Sequence, residues 1–145
     1  MLFRSDLYFD HTKRAVVEVL NDSSLGPRDR LRRYLDIITS RLAGAEFGRG
    51  CLIGDFSLEA APQSEMLRTR LAEIFAEWRS PFAACIAEGQ ATGEIATTFA
   101  PEDLADFLLS SWEGAILRMK VERNAEPLER FKRIVFATVF KEHCR

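Results

Sequence analysis

Catalysis needs polar groups that converge, and in this chain the groups with chemical potential are few and scattered. The two histidines, His11 and His143, lie near opposite ends of the 145 residues. His143 and Cys144 are adjacent, so on a helix they diverge by about 100°, and the third or fourth neighbour needed to share a metal is missing. The three cysteines, Cys51, Cys85 and Cys144, are odd in number and lack CxxC spacing, which indicates neither a disulfide framework nor a zinc knuckle. Asp55 with Glu59, and Glu73 with Glu77, share helix faces without an accompanying ExxH. No GxSxG elbow is present. Gly48, Gly50 and Gly54 form neither GxGxxG nor a Walker loop, and a Cys51 nucleophile would need a base delivered by folding alone. Neither an enzyme nor a bound metal or cofactor is expected.

Binding chemistry is better supplied. Phe56, Phe75, Trp78, Phe82, Trp112 and Ile116 offer an aromatic-rich interior, and Tyr8, His11 and Tyr34 add polar handles. Such a set suits a small, mostly apolar effector held by a few polar groups, and Arg79 is the cation nearby that would admit an acid. The alternative is that the same side chains close-pack and leave no room for a ligand.

These residues must be carried by helices, because the apolar spacing runs in threes and fours nearly everywhere. A first helix is expected from about Leu2 to Leu20, with Leu7, His11, Ala15 and Val19 on one side and Tyr8, Thr12 and Val16 beside them. NDSSLGP ends it. Pro27 suits the first turn of a second helix, whose stripe of Leu31, Tyr34, Leu35, Ile38 and Leu42 ends near Phe47. Arg28, Arg32 and Arg33 lie on its other face and read as solvated. GRGCLIGDFSLEAAP is a loop running into about two turns of helix, with Leu52, Ile53, Phe56 and Leu58 tucked on the core. A long helix follows from Ser64, its cap, to about Ala91, with Leu71, Ile74, Trp78, Phe82, Cys85 and Ile86 inward. Pro81 in its middle removes an amide and predicts a kink near Glu77, and Gly93 ends the helix.

The segment from Pro101 to Phe140 has more apolar surface than one chain needs. On a wheel of 100° per residue, Leu104, Ala105, Leu108, Leu109, Trp112, Ala115, Ile116 and Met119 fill one broad arc, which reads as a core face. Phe107, Ser110, Gly114, Leu117 and Val121 advance by 3, 4, 3 and 4, the spacing of a helix-to-helix seam. In the next helix Phe131, Ile134, Val135 and Thr138 extend that surface. Two such helices from each of two chains would form a four-helix interface about a two-fold axis.

The chain has the length of one domain, and 47% hydrophobic with 29% charged residues is a soluble, globular composition. A formal charge of −2 gives no general pull on phosphate backbones. Signal-peptide and membrane-spanning patterns are absent, so a cytoplasmic protein without membrane association is expected. The class is all-α: a bundle of about five to six helices with a kinked central helix and a C-terminal hairpin.

Several pieces, taken in order, resemble the C-terminal effector-binding and dimerisation domain of TetR-family transcriptional regulators. GCLIGDFSLEAA resembles the segment entering that family's long central helix, EGQATGEI its usual end, and PEDLADFLLSSWEGAILRMKVERNAEPLERF the paired dimerisation helices. DLYFDHTKRAVVEVL looks like the helix that follows the DNA-binding module. The resemblance implies a homodimer, a cavity for a small-molecule effector beside the kinked helix, and a linking helix from Leu2 to Leu20 that transmits ligand binding. It also implies that DNA is contacted only through an N-terminal helix-turn-helix, which does not precede Met1, so that residues 1–145 are expected to be a single effector-binding and dimerisation domain. A stand-alone helical dimerisation module without a ligand is the other expectation.

Overall fold

In a computed structural model, residues 2–141 are described, with side chains from Asp10 onward except Thr12. Six helices make up this part: α1 (Leu2–Leu20), α2 (Pro27–Gly44), α3 (Leu52–Ala60), α4 (Glu65–Ala91), α5 (Pro101–Glu122) and α6 (Glu126–Thr138). Among the described residues there is no strand, only one antiparallel bridge between Ile95 and Phe140. His143 and Cys144 lie outside the described residues.

The helix boundaries follow local chemistry. Proline occupies the first turn of α2, α5 and α6, where its missing amide costs nothing. The Ser64 side chain accepts a hydrogen bond from the Leu67 amide at 3.3 Å and caps α4. At the far end Gly93 takes φ +81°, a left-handed conformation that glycine adopts without a Cβ clash. Pro81 lies inside α4, which continues through it although the Glu77 carbonyl loses its helical donor. Helix α2 stops at Gly44, short of the expected Phe47, because Glu46 and Phe47 turn left-handed at φ 53° and 57°. Their amides bond back to Ala43 and Leu42 at 2.9 Å each. That turn delivers Gly50 and Cys51 to the edge of the interior.

Helix α4 is the centre, packed against α1, α2, α3 and α5, while α6 lies on α5 and α2. Its inward residues Leu71, Ile74, Trp78, Phe82, Cys85 and Ile86 are buried, as are Ala105, Leu108, Leu109, Trp112, Ile116 and Met119 of α5. Gly89 sits so close to α2 and the chain after α4 that a Cβ there would lie 2.8 Å from Ile95 Cδ1 and 3.4 Å from Pro27.

Charged residues do more than face water. Arg30 is buried, donating from Nε to the Asp22 and Leu25 carbonyls at 2.8 and 2.7 Å and from its two terminal nitrogens to Glu88 at 2.6 and 3.1 Å. This fork ties the α1–α2 turn to α4. Lys132, also buried, joins Asp36 at 2.9 Å and Glu129 at 2.8 Å. Arg32 and Arg33 are exposed as expected and Arg28 is half-buried, and two of these arginines also make a contact that spacing does not announce. The guanidinium groups of Arg28 and Arg32 lie over the Phe136 ring at 5.5 and 4.1 Å, so the stems and cations cover aromatic surface of α6.

Two residues expected at a subunit seam make contacts within the chain. Val135 is buried against its own chain, and the Phe131 ring packs on Trp112 with centroids 5.1 Å apart. The remaining seam candidates are outward: Phe107 is 60% exposed, Leu117 51%, Val121 76% and Ile134 56%, with Ser110, Gly114 and Thr138 exposed beside them. Leu52 and Leu58 of α3 also face outward rather than onto the core, which takes Ile53.

Candidate effector site

Five segments converge on an interior cavity of about 100 Å³. Lys13 comes from α1, and Tyr34, Ile38, Arg41 and Leu42 from α2. Gly50, Cys51 and Ile53 come from the start of α3, Trp78 from α4, and Trp112, Glu113 and Ile116 from α5. Helical spacing explains the α2 wall, since Tyr34, Ile38, Arg41 and Leu42 recur at four, three and one. The loop that reaches Cys51 is set by the left-handed turn at Glu46 and Phe47.

Of the residues expected at the site, Tyr34, Trp78, Trp112 and Ile116 line this cavity. Phe82 stands behind it, its ring edge-on to Tyr34 at 4.9 Å, and so fixes the tyrosine rather than touching the space. Phe75 stacks on Trp78 at 6.3 Å and borders a separate surface groove with Asp106 and Leu109. Phe56 is half-buried against the core, away from the cavity. His11 is exposed, because α1 buries Val16 and Leu20 further along. The side chain of Tyr8 lies outside the described residues. Arg79 pairs with Asp106 at 3.0 Å instead of facing the cavity.

Burial dominates the electrostatics of the inner wall. Burial pushes the Tyr34 hydroxyl well above its ordinary range and the Cys51 thiol up to about 12, because the charged forms lose water. Glu113 is raised for the same reason first, with Asp55 adding like charge. Lys13 bridges to Glu77 at 2.9 Å, and Lys120 to Asp55 at 3.0 Å near the rim. A thiol held protonated is a poor nucleophile, so Cys51 serves as a wall.

Among the described residues, the buried side-chain polar atoms that find no partner are Trp78 Nε1, Trp112 Nε1 and Glu113 Oε1. All three belong to the cavity lining. Buried donors and acceptors are almost always satisfied, and one left alone costs about 1–3 kcal/mol. They concentrate in one place, where the Trp78 indole lies beside the Tyr34 hydroxyl and the Glu113 carboxyl beside the Cys51 thiol.

Sequence reasoning missed Glu113, Cys51 and Arg41. Glu113 carried a weak signal, a carboxylate directly following the inward Trp112. Cys51 carried none, since only the path of the loop brings it in.

The sequence matches the family described as Tetracyclin repressor-like, C-terminal domain, over residues 27–135. The chain belongs to the TetR family of transcriptional regulators. Among its TetR-family relatives, the HTH-type transcriptional repressor DhaR of Mycobacterium sp. (strain GP1) is 49% identical over 129 residues, covering 89% of this chain and 63% of the relative. The transcriptional regulator AcuR of Cereibacter sphaeroides is 34% identical over 128 residues, covering 88% and 57%. This chain thus spans less than two thirds of either regulator. The crystal structure of regulatory protein TetR from Rhodobacter sphaeroides superposes with a TM-score of 0.88 at 32% identity, over 94% of this chain and 71% of that one. The reduced form of E. coli NemR shares the fold, with a TM-score of 0.81 at 21% identity over 95% and 70%. DhaR, AcuR and the Rhodobacter sphaeroides protein are each named as regulators. No described helix is long and apolar enough to cross a membrane.

Proposed function

We propose that these residues form the effector-sensing and dimerising part of a cytoplasmic TetR-family repressor. Binding, not reaction, is its activity. The observation that carries the reading is the double use of α5. Trp112, Glu113 and Ile116 line the cavity, while Phe107, Leu117 and Val121 of the same helix stand exposed on its other side. Exposed apolar stripes of this kind mark protein contacts, and a second copy of the chain, related by a two-fold axis, offers the matching stripe. A groove of about 460 Å³ lined by Ile95, Phe99, Leu104, Phe107 and Val139 adjoins that surface and extends its apolar area. The expected effector is a small molecule whose binding changes the relative stability of two dimer geometries. Operator DNA would be contacted through a helix-turn-helix module, which is not among the six described helices.

A purely structural module would pair or exclude the three orphaned polar atoms of the cavity, and this observation favours sensing. The assembly is tested by sedimentation of the chain and its Gly114→Arg variant. A Cβ at Gly114 meets nothing within 4 Å, so the variant folds as a monomer but cannot close the seam. Wild-type protein is expected to sediment as a dimer and the variant as a folded monomer. A variant that dimerises normally removes α5 from the interface.

A further inference from the structure

The two tryptophans of the chain both face the cavity; the Trp112 indole N–H has no acceptor there, and the Trp78 indole lies toward the Tyr34 hydroxyl without closing a hydrogen bond. Trp112 is 2% exposed and Trp78 8%, so neither can turn to bulk water. An indole nitrogen only donates. Tyr34 adds a hydroxyl that burial keeps protonated. These three groups give the interior donors; Ile38, Leu42, Ile53 and Ile116 supply an aliphatic wall, and Lys13, Arg41, Cys51 and Glu113 complete the lining.

We infer that the cavity takes a compact ligand whose head is a hydrogen-bond acceptor, a carbonyl or carboxylate oxygen, held by the Trp78 and Trp112 indoles with a short apolar end against the aliphatic wall. This deepens the sensing role proposed above and rests on it. Size follows from the space. A cavity of about 100 Å³ holds about seven water-sized groups, which corresponds to a ligand of about four to eight non-hydrogen atoms. Larger drug-like effectors do not fit without opening the bundle. An ammonium head has no lone pair for the two indoles to donate to, so it leaves both unpaired and could be met only by Glu113 when that carboxyl is ionised. A hydrocarbon fits the aliphatic wall but leaves both indoles unpaired, and that loss weakens it by about tenfold or more for each donor. Glu113, whose carboxyl lies beside the Cys51 thiol, contributes the third unpartnered atom, Oε1: as a neutral carboxyl it donates to the same acceptor, and as a carboxylate it repels an anionic one.

The experiment titrates the whole chain with butanone, butyrate, butylammonium and cyclopentane, following tryptophan emission and the melting temperature. Because both tryptophans are in the wall, emission reports occupancy directly. Butanone or butyrate is expected to shift emission and raise the melting temperature at concentrations about tenfold below those needed for cyclopentane or butylammonium. Either result supports the inference, and which of the two binds tells a neutral carbonyl head from a carboxylate. Trp112→Phe and Trp78→Phe keep a ring and delete a donor. Each is expected to weaken the acceptor probe about tenfold while leaving cyclopentane within about twofold. Cyclopentane binding as well as butanone, or acceptor affinity unchanged in both phenylalanine variants, overturns the acceptor head while leaving an apolar sensing cavity in place. If none of the four probes moves emission or melting temperature, the cavity does not admit small molecules, and the sensing role fails together with the inference.

Discussion

The two faces of α5 are built from residues of similar hydrophobicity and meet opposite fates. On one face Ala105, Leu108, Trp112, Ile116 and Met119 are buried within the chain; on the other Phe107, Leu117 and Val121 remain more than half exposed. The inner face meets α4 and α6, which were joined to it by short connections and therefore had to fold back on it. The outer face has no element of the described chain to cover it. The same apolar energy thus stabilises the monomer on one side and is left for association on the other. Substitutions on the two faces should separate stability from assembly.

The largest separation is expected from Trp112→Ala. The ring is buried between Phe131 and the cavity, and its removal should cost about 3–5 kcal/mol of stability, measured as a lowered urea midpoint. Val121→Ala on the outer face should leave the monomer within about 0.5 kcal/mol and weaken only the dimer. Equal effects of the two changes on unfolding would erase the distinction between the faces.

Glycine gives the next contrast. Gly89→Ala forces a methyl against Ile95 Cδ1 in a packed region, and overpacking should destabilise the fold by about 1–3 kcal/mol. Gly114→Ala places a methyl in open space on an exposed helix, where the gain in helix propensity should stabilise the monomer by about 0.5–1 kcal/mol. Both are read by thermal melting at concentrations low enough to keep the chain monomeric. A stabilised Gly89→Ala would mean that Ile95 moves freely.

The two-faced character of α5 was legible in its periodicity, because 100° per residue separates two stripes when polar residues such as Asp106 and Arg118 lie between them. In α6 the stripes separate less cleanly. Ile134 and Val135 are neighbours of nearly equal hydrophobicity, yet one is 56% exposed and the other 7%. A wheel sets them about 100° apart within one broad apolar arc and cannot say which of the two α2 and α5 will cover. The arginines of α2 show a related limit: Arg32 looks solvated by type, but its stacking on Phe136 is a long-range contact. The candidate site divides along the same line. Tyr34, Trp78, Trp112 and Ile116 lie on regular helices whose inward faces follow from spacing. Cys51 and Gly50 arrive by a left-handed turn with no glycine to announce it. His11 shares the helical phase of Ala15 and Val19, but phase alone does not say how far along α1 the covering helices extend.

The smallest expected effect distinguishes the faces by a slope rather than an offset. Glu113 leaves the inner face for the cavity, keeps part of its surface near solvent, and has its carboxyl raised above the ordinary 4.5, first by burial and then by Asp55. Lys13 and Arg41 on α1 and α2, Cys51 and Asp55 at α3, and Lys120 on α5 are the other charged or titratable groups around it. A carboxyl whose folded value is raised binds its proton more tightly when folded than when unfolded. Its contribution is therefore fully present below 4.5 and is lost as pH rises through the raised folded value, above which both states are ionised and the folded one bears the whole penalty. Glu113→Gln removes this term. Its melting temperature relative to wild type should be nearly constant below about pH 4 and climb above that until Glu113 is ionised in the folded state, then level off. A difference that stays flat from acid to neutral pH would mean that Glu113 is solvated, and that the inner face of α5 ends at Trp112.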